Sequence, residues 1–433
     1  MRIHIWHPGS ALSSRENRLL ACSYGPEYVL NRLDFELNAH LGDNSTVSAD
    51  VWRPAKHVNY DRIGLRTNQG HVPFSGPKNW PIDEDDRGTF GHTIRTLKFF
   101  PFCTFTAVKD NSRRVGAVVK AWRREMQVAG IRRVGAHVEM IERGEPRPLA
   151  EDEVLLEVRA AGVGNWDEFV RTGGWDVGAK VPMALGVEAS GIVLAVGQAV
   201  DDWSTGDAVM THPVPLRDQG SWAPRVIAPA RLLARKPPHV SWEVAAAFAV
   251  PALTAEQALS EAVNIRPGEQ LLVHGAGGVT GGLLVALGVL RGAQVIATAG
   301  PASQQRVSAL GATYVIDYND EEWPEQVRAI SGRHGVAAAV NAARGGASSA
   351  IRAVVDGGRL ATITSDPPVQ QRGITVSSIY VRADGNQLHE LAQHLADGHL
   401  DIPIAARYRL ADAAQALVQA SGGHAGGAIV LTL

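Results

Sequence analysis

The densest group of residues able to do chemistry is the turn Ala276-Gly277-Gly278-Val279-Thr280-Gly281, with Gly275 just before it. Gly278 lets backbone approach a phosphate with no Cβ in the way, and Gly281 lets a helix pack closely on a strand. A helix opening at Val279 presents unpaired N–H groups and a positive dipole end to an anion. This is the dinucleotide-binding fingerprint with alanine in place of its first glycine, and it carries weight only between a strand and a helix. Both elements are legible. Leu271-Leu272-Val273 is a short apolar run of the kind buried on both faces, and residues 279–290 repeat Leu, Val and Ala at helical spacing. Gly292 marks a stop, and residues 294–298 read as a second strand. The competing reading is a tight structural turn in another α/β protein.

The end of that second strand bears on which coenzyme is bound. Thr298-Ala299-Gly300 offers no acid to hold a ribose 2′-hydroxyl, whereas Ser303, Gln304 and Arg306 follow closely. Hydroxyl donors and a guanidinium fork suit a 2′-phosphate, so NADP(H) is the expected cofactor. Arg306 also reads as an ordinary solvated helix residue, because residues 303–310 need a polar face. Further along, Gly357 and Thr362-Ile363-Thr364 fall at a strand end facing the same crevice.

At 433 residues the chain has room for two or three cores. A net charge of −2 with 20% charged residues gives no reason to expect nucleic acid. No apolar run approaches the roughly 20 residues of a membrane span, and no secretory signal opens the chain, so no membrane association and a cytoplasmic location are expected. The two cysteines, Cys22 and Cys103, lie far upstream of the glycine turn, so residues 126–433 hold neither a disulfide framework nor a cysteine-ligated metal.

Residues 1–125 show no sustained period. Their clearest features are helical spacing over 27–41, an apolar patch at 99–105, a basic helix over 113–124 and a linker over 68–87. The expectation is a poorly ordered extension, or upstream sequence that is not part of the native protein. Mixed basic and aromatic residues leave open a nucleic-acid- or partner-binding arm. At Met126 the texture changes to short, glycine-punctuated strands: 126–131, 154–160, 190–196, 208–211 and 223–227. Residues 241–259 turn helical. Beyond the glycine turn, helices at 323–331 and 348–355 alternate with strands at 336–340 and 358–364, with Gly357-Gly358 read as the intervening turn. A strand at 374–381, a helix at 386–400 and a closing strand at 428–431 complete the pattern.

Several motifs in this order carry a family resemblance. They are Arg159-Ala160-Ala161-Gly162-Val163 with Asp167 downstream, Leu185-Gly186-Val187-Glu188-Ala189-Ser190-Gly191, and Gly206-Asp207-Ala208-Val209. Leu253-Thr254-Ala255, the glycine turn, and Leu310-Gly311-Ala312 before Val315-Ile316-Asp317-Tyr318 follow. Residues 126–433 thereby resemble the medium-chain dehydrogenase/reductase superfamily, and within it the zinc-independent quinone oxidoreductase-like branch. The resemblance implies an α/β architecture: a GroES-like β-rich catalytic domain over 126–250, a Rossmann doubly wound parallel-sheet domain over 251–385, and a return to the first domain over 386–433. It also implies a homodimer, with Thr254 and Tyr318 near the cofactor.

Zinc-dependent members hold catalytic metal with cysteine and histidine ligands. Here residues 126–433 contain no cysteine, and the histidine position of the Gly-His-Glu motif is Val187, so no metal is expected. Without a Lewis acid, conjugate reduction is the less demanding chemistry, because charge spreads onto an oxygen that a few hydrogen bonds can hold. The expected reaction is hydride transfer from NADPH to a quinone or activated C=C. The catalytic candidates are Asn165 as a donor to the carbonyl oxygen, Trp166 and Trp175 as an aromatic wall, and Asp167 as the anchor of its loop. Family members usually carry asparagine where this chain has Gly164, which leaves room for a second reading, an NADPH-binding sensor or store with little turnover.

Overall fold

The computed structural model describes residues 126–423 and 426–433 in full, and before them the backbone of seven strands. The chain divides into two units, Met1–Arg124 and Glu125–Leu433. In the first, Glu36–Leu41, Asp43–Asp50, Gly64–Thr67 and Gly70–Pro73 form an antiparallel meander. Thr93–Phe99, Cys103–Lys109 and Val115–Lys120 form a second. Two helical expectations are corrected here, since residues 36–41 and 115–120 are extended, and strand Gly70–Pro73 lies inside the expected linker. Cross-strand pairing overrides local helical spacing, and Val115, Val118 and Val119 are β-branched residues that a pleated strand accommodates better than a helix. The other expectations for residues 1–125, including disorder and a nucleic-acid arm, lie outside the described residues.

In the second unit, a seven-stranded sheet is built around Glu153–Val163. Residues 153–157 of that strand pair with Arg225–Pro229, and residues 160–163 pair with Ala428–Thr432. Its other edge pairs with Ala189–Val196, then Ala208–Thr211 and Leu233–Arg235. Ile404–Arg409 lies beyond Ala428–Thr432, in parallel. Bulges near Leu155 and Val158 curve this sheet around a core that includes Leu156, Val193 and Trp222.

The next domain is a six-stranded parallel sheet in the order Tyr314–Ile316, Gln294–Thr298, Gln270–His274, Val336–Asn341, Val354–Thr362, Thr375–Ser378. Counted along the chain that order is 3-2-1-4-5-6, the doubly wound arrangement expected of a Rossmann domain. The switch of direction falls between Gln270–His274 and Val336–Asn341, so the crevice opens at their carboxyl ends. Helix Val279–Leu290 is buried over its middle eight residues, 281–288, and packs against the helix Ala249–Gln257. Among the described residues no helix is long and apolar enough to cross a membrane.

Several boundaries differ from expectation. Residues 348–355 hold only a short helix, Ala347–Ala350, and a 3-10 turn, because the following strand already begins at Val354. Gly357-Gly358 is therefore not an intervening turn. Gly357, at φ +74°, makes a bulge inside the strand, which shifts its pairing with Val336–Asn341. The helix expected over 386–400 ends at Ala396, before Gly398 at φ +74°. Residues 164–167, read as a loop, are the cap and first turn of a helix, Asn165–Thr172. Strand Ile404–Arg409 and helix Ala413–Gly422 were not anticipated.

Candidate functional site

Every central strand of the parallel sheet finishes on a polar side chain. Thr298, His274, Asn341, Thr362 and Ser378 stand in register across five neighbouring strands and mark the edge where the crevice opens. The glycine turn leaves this edge directly after His274. Gly275 adopts φ +86°, and a Cβ there would lie 2.8 Å from the Ala343 nitrogen. A Cβ on Gly281 would lie 2.2 Å from the Gly275 carbonyl oxygen, so the helix is seated against the turn through this bare carbon. Gly278 is different. It caps helix Val279–Leu290 with no side-chain hydrogen bond, it is exposed, and a Cβ on it would meet nothing nearer than 3.7 Å. Unpaired N–H groups beside open space at a helix N-terminus fit the pyrophosphate of a dinucleotide.

Thr298 is fully buried. Its Oγ1 meets His274 Nδ1 at 2.7 Å and accepts from the Gly275 backbone N–H at 3.1 Å, which ties the turn to the second strand. His274 stacks on Trp323 at 4.4 Å, and burial lowers its pKa to about 4, leaving the ring neutral. Arg306 is half-buried on helix Pro301–Ala309 and donates from Nη2 to the Gly277 carbonyl at 2.5 Å. Ser303 lies beside the same glycine, and Tyr318 lies beside Gly300. Ser303, Arg306 and Tyr318 thus flank the turn and the end of the second strand. Thr280 is half-buried in the first turn of the helix, and Ile363 is a partly buried residue whose N–H donates to the Asn341 carbonyl. The Thr362 and Thr364 hydroxyls both donate to Asp366, at 2.7 and 2.5 Å. Thr254 donates to the Val250 carbonyl within its own helix.

In the first domain the chemistry gathers around Gly164. Strand Glu153–Val163 delivers the chain to this residue, which caps helix Asn165–Thr172. Asp167 closes the first turn by accepting the Gly164 N–H on Oδ2 at 2.9 Å, while Oδ1 is buried with no partner. Full burial pushes its pKa up to about 8, against the smaller lowering effect of that hydrogen bond. The Trp166 ring covers the Gly164 α-carbon so closely that a Cβ there would overlap it at 2.1 Å. Trp166 Nε1 is likewise buried without a partner. Asn165 is half-buried at the first helical position.

Glu188 is the second buried carboxyl here. It fits against the bare α-carbon of Gly162 and accepts the Val250 N–H at 2.8 Å, linking this loop to the helix that leads into the nucleotide domain. Burial raises its pKa well above the usual carboxylate range, and Asp167 nearby adds to the rise. His212 lies 5.8 Å from the Trp175 ring and holds the Val187 carbonyl through Nδ1; burial lowers its pKa to about 4, so it too is neutral. Among the described residues no three His, Cys, Asp or Glu side chains converge on a metal-sized site. Asn165, Trp166 and Asp167 thus share one helical turn, and Trp175 packs on His212. Sequence reasoning overlooked Glu188, His212, Asn341 and Asp366 as members of the site. Glu188 stands next to Val187 in a motif already singled out, and that position was the available signal.

Residues 150–238 match the family described as alcohol dehydrogenase GroES-like domain, and residues 310–431 match zinc-binding dehydrogenase. Among curated proteins, the synaptic vesicle membrane protein VAT-1 homolog of Rattus norvegicus is 34% identical over 182 residues, 41% of this chain and 44% of that one. Erythronolide synthase EryA2 of Saccharopolyspora erythraea is 35% identical over 201 residues, 46% of this chain and 5% of the synthase. The chain spans less than half the length of these curated relatives. Among solved structures, an NAD-dependent alcohol dehydrogenase aligns with TM-score 0.65 and 26% identity, covering 71% of this chain and all of that one. A quinone oxidoreductase of Pseudomonas syringae pv. Tomato aligns with TM-score 0.65 and 25% identity over the same shares.

Proposed function

The chain belongs to the medium-chain dehydrogenase/reductase superfamily, and on that premise we propose that it is a zinc-independent, NADP(H)-dependent oxidoreductase acting on a quinone or an activated C=C. The observation that carries this reading is the loop around Gly164. Neither Gly164 nor Val187 offers a ligand atom, yet two buried polar groups there have no partner in the fold. When bound, the coenzyme supplies the hydride from its reduced nicotinamide ring. The chain supplies a dry pocket and donors for the oxygen on which charge collects.

Asp167 holds its proton near neutral pH because its carboxyl is wholly buried. That proton sits on Oδ1, since Oδ2 already accepts the Gly164 N–H. Oδ1–H and the Trp166 Nε1–H are therefore donors with no partner within the fold, and both side chains close on Gly164. Trp166 and Trp175 add apolar area for a flat acceptor. Preference for NADP(H) rests on the absence of an acid at Thr298-Ala299-Gly300 and on Ser303 and Arg306 beside the turn.

Mixing the purified chain with NADPH and a panel of quinones and enones, and following loss of nicotinamide absorbance, tests the reading. Turnover with at least one acceptor by protein free of zinc is the expected result. Tight NADPH binding with no oxidation by any acceptor would instead leave a coenzyme-binding sensor or store. Stoichiometric zinc essential for turnover would overturn the metal-free mechanism.

A further inference from the structure

Asp366 lies just past the end of strand Val354–Thr362, and one side of its carboxylate is fully engaged. Oδ1 accepts from Thr362 Oγ1 at 2.7 Å and Thr364 Oγ1 at 2.5 Å, while Asn341 Nδ2 donates to those two hydroxyl oxygens at 3.1 and 2.9 Å and lies 3.3 Å from Oδ1. Asn341 is itself fully buried, and its Oδ1 accepts the Ala343 N–H at 3.2 Å, so its amide orientation is fixed. Two hydroxyls aimed at one oxygen, and ordered by a buried amide, make an expensive arrangement to assemble if the carboxylate had no further task. Its other oxygen, Oδ2, is buried and has no partner at all. A buried carboxylate oxygen left in that condition calls for a ligand or a water to complete it.

Position in the sheet says which ligand. Asn341 and Thr362 end the fourth and fifth strands of the 3-2-1-4-5-6 order, whereas the glycine turn follows the first. In a doubly wound sheet the half built on strands one to three takes one mononucleotide, and the half built on strands four to six takes the other. The pyrophosphate site at Gly278 and the flanking Ser303 and Arg306 belong to the first half. Asp366 therefore stands in the second, across the crevice. A carboxylate oxygen is an acceptor only and is repelled by phosphate, so vicinal hydroxyls are its natural partners.

We propose that Asp366 Oδ2 accepts the ribose hydroxyls of the coenzyme's nicotinamide half and so fixes the nicotinamide ring over the first domain. The inference rests on the coenzyme reading above and adds a positioning residue to it. Asn341, Thr362 and Thr364 act through Asp366 by holding its carboxylate in one orientation. This gives the two threonines a role at one remove from the coenzyme.

The test compares the wild-type chain with Asp366→Asn and Asp366→Ala by titration calorimetry, using NADPH and, separately, 2′,5′-ADP, which carries only the adenosine half. A lost hydrogen bond to a charged group weakens binding by about 10- to 100-fold. That loss is expected for NADPH in both variants, with 2′,5′-ADP affinity held within about twofold. Equal weakening of both ligands would mean that the substitutions disturb the fold as a whole, and it would overturn the inference. Unchanged NADPH affinity would overturn it too. If the wild-type chain bound neither NADPH nor NADH, the coenzyme reading itself would fail, an outcome distinct from either of these.

Discussion

Replacing Asp167 with asparagine is expected to remove a pH-dependent weakness from the fold. The asparagine side chain reproduces the protonated acid, since its carbonyl still accepts the Gly164 N–H and its amide takes the place of the Oδ1 hydroxyl. In the unfolded chain Asp167 ionises with its ordinary value of 3.8, but in the folded chain burial pushes this up to about 8. Between those values the folded state binds one proton more than the unfolded state, so stability falls as pH rises. Each pH unit is worth about 1.4 kcal/mol, so the wild type loses about 4 kcal/mol through this residue between pH 5 and pH 8, and the variant loses none. Losing the Asp167 charge also eases the ionisation of Glu188, the other buried carboxyl nearby, and this shifts the difference the same way, further favouring the variant as pH rises. Urea denaturation at pH 5, 6.5 and 8 reads that difference through intrinsic fluorescence, to which Trp166, Trp175 and Trp222 contribute. The stability gap between variant and wild type is expected to widen in the variant's favour as pH rises. A gap independent of pH, or one that narrows, would refute the claim that Asp167 is protonated in the fold.

Three further outcomes follow from the same geometry. Gly278→Ala is expected to leave stability within about 1 kcal/mol and weaken NADPH at least about tenfold, because its Cβ enters open space where phosphate must come; Gly281→Ala is expected to lose about 1–3 kcal/mol, because its Cβ meets the Gly275 carbonyl at 2.2 Å. Thermal melts with and without NADPH separate the two. Arg306→Ala is expected to weaken NADPH about tenfold more than NADH in parallel titrations, whereas an equal loss would mean that Arg306 only buttresses the turn at Gly277. Gly164→Ala forces the Trp166 ring aside and is expected to cost about 1–3 kcal/mol in the wild type but little in a Trp166→Ala background, a coupling that a double-mutant cycle reports.

The helix Val279–Leu290 was readable to the residue, because Gly278 and Gly292 bracket a largely apolar run and each does a job that sequence makes visible. The helix Asn165–Thr172 was not. Its cap is Gly164, which has no side chain to announce it, and the bond that closes its first turn comes backwards from Asp167. Gly357-Gly358 looked like punctuation between elements and proved to be a bulge within one, a distinction that depends on which neighbouring strand is paired. The polar residues at the strand ends were each visible, but their shared register was not. Asp366 stood in no motif at all, since Asn341 and Thr362 reach it only after two strands separated by a helix are laid side by side. The extended segments within residues 1–125 escaped for the same reason: their partners, not their spacing, decide their conformation.

The strand Ala428–Thr432 is threaded between Glu153–Val163 and Ile404–Arg409, with Ile429, Val430 and Leu431 buried. A ribosome must therefore finish nearly all of residues 153–432 before this sheet can zip shut, and until then its middle lies open with two unpaired edges. A stop codon a few positions before residue 428 would delete an interior stave instead of trimming a tail. Shortened products of that kind are expected to accumulate as aggregates, even with the whole nucleotide domain already translated.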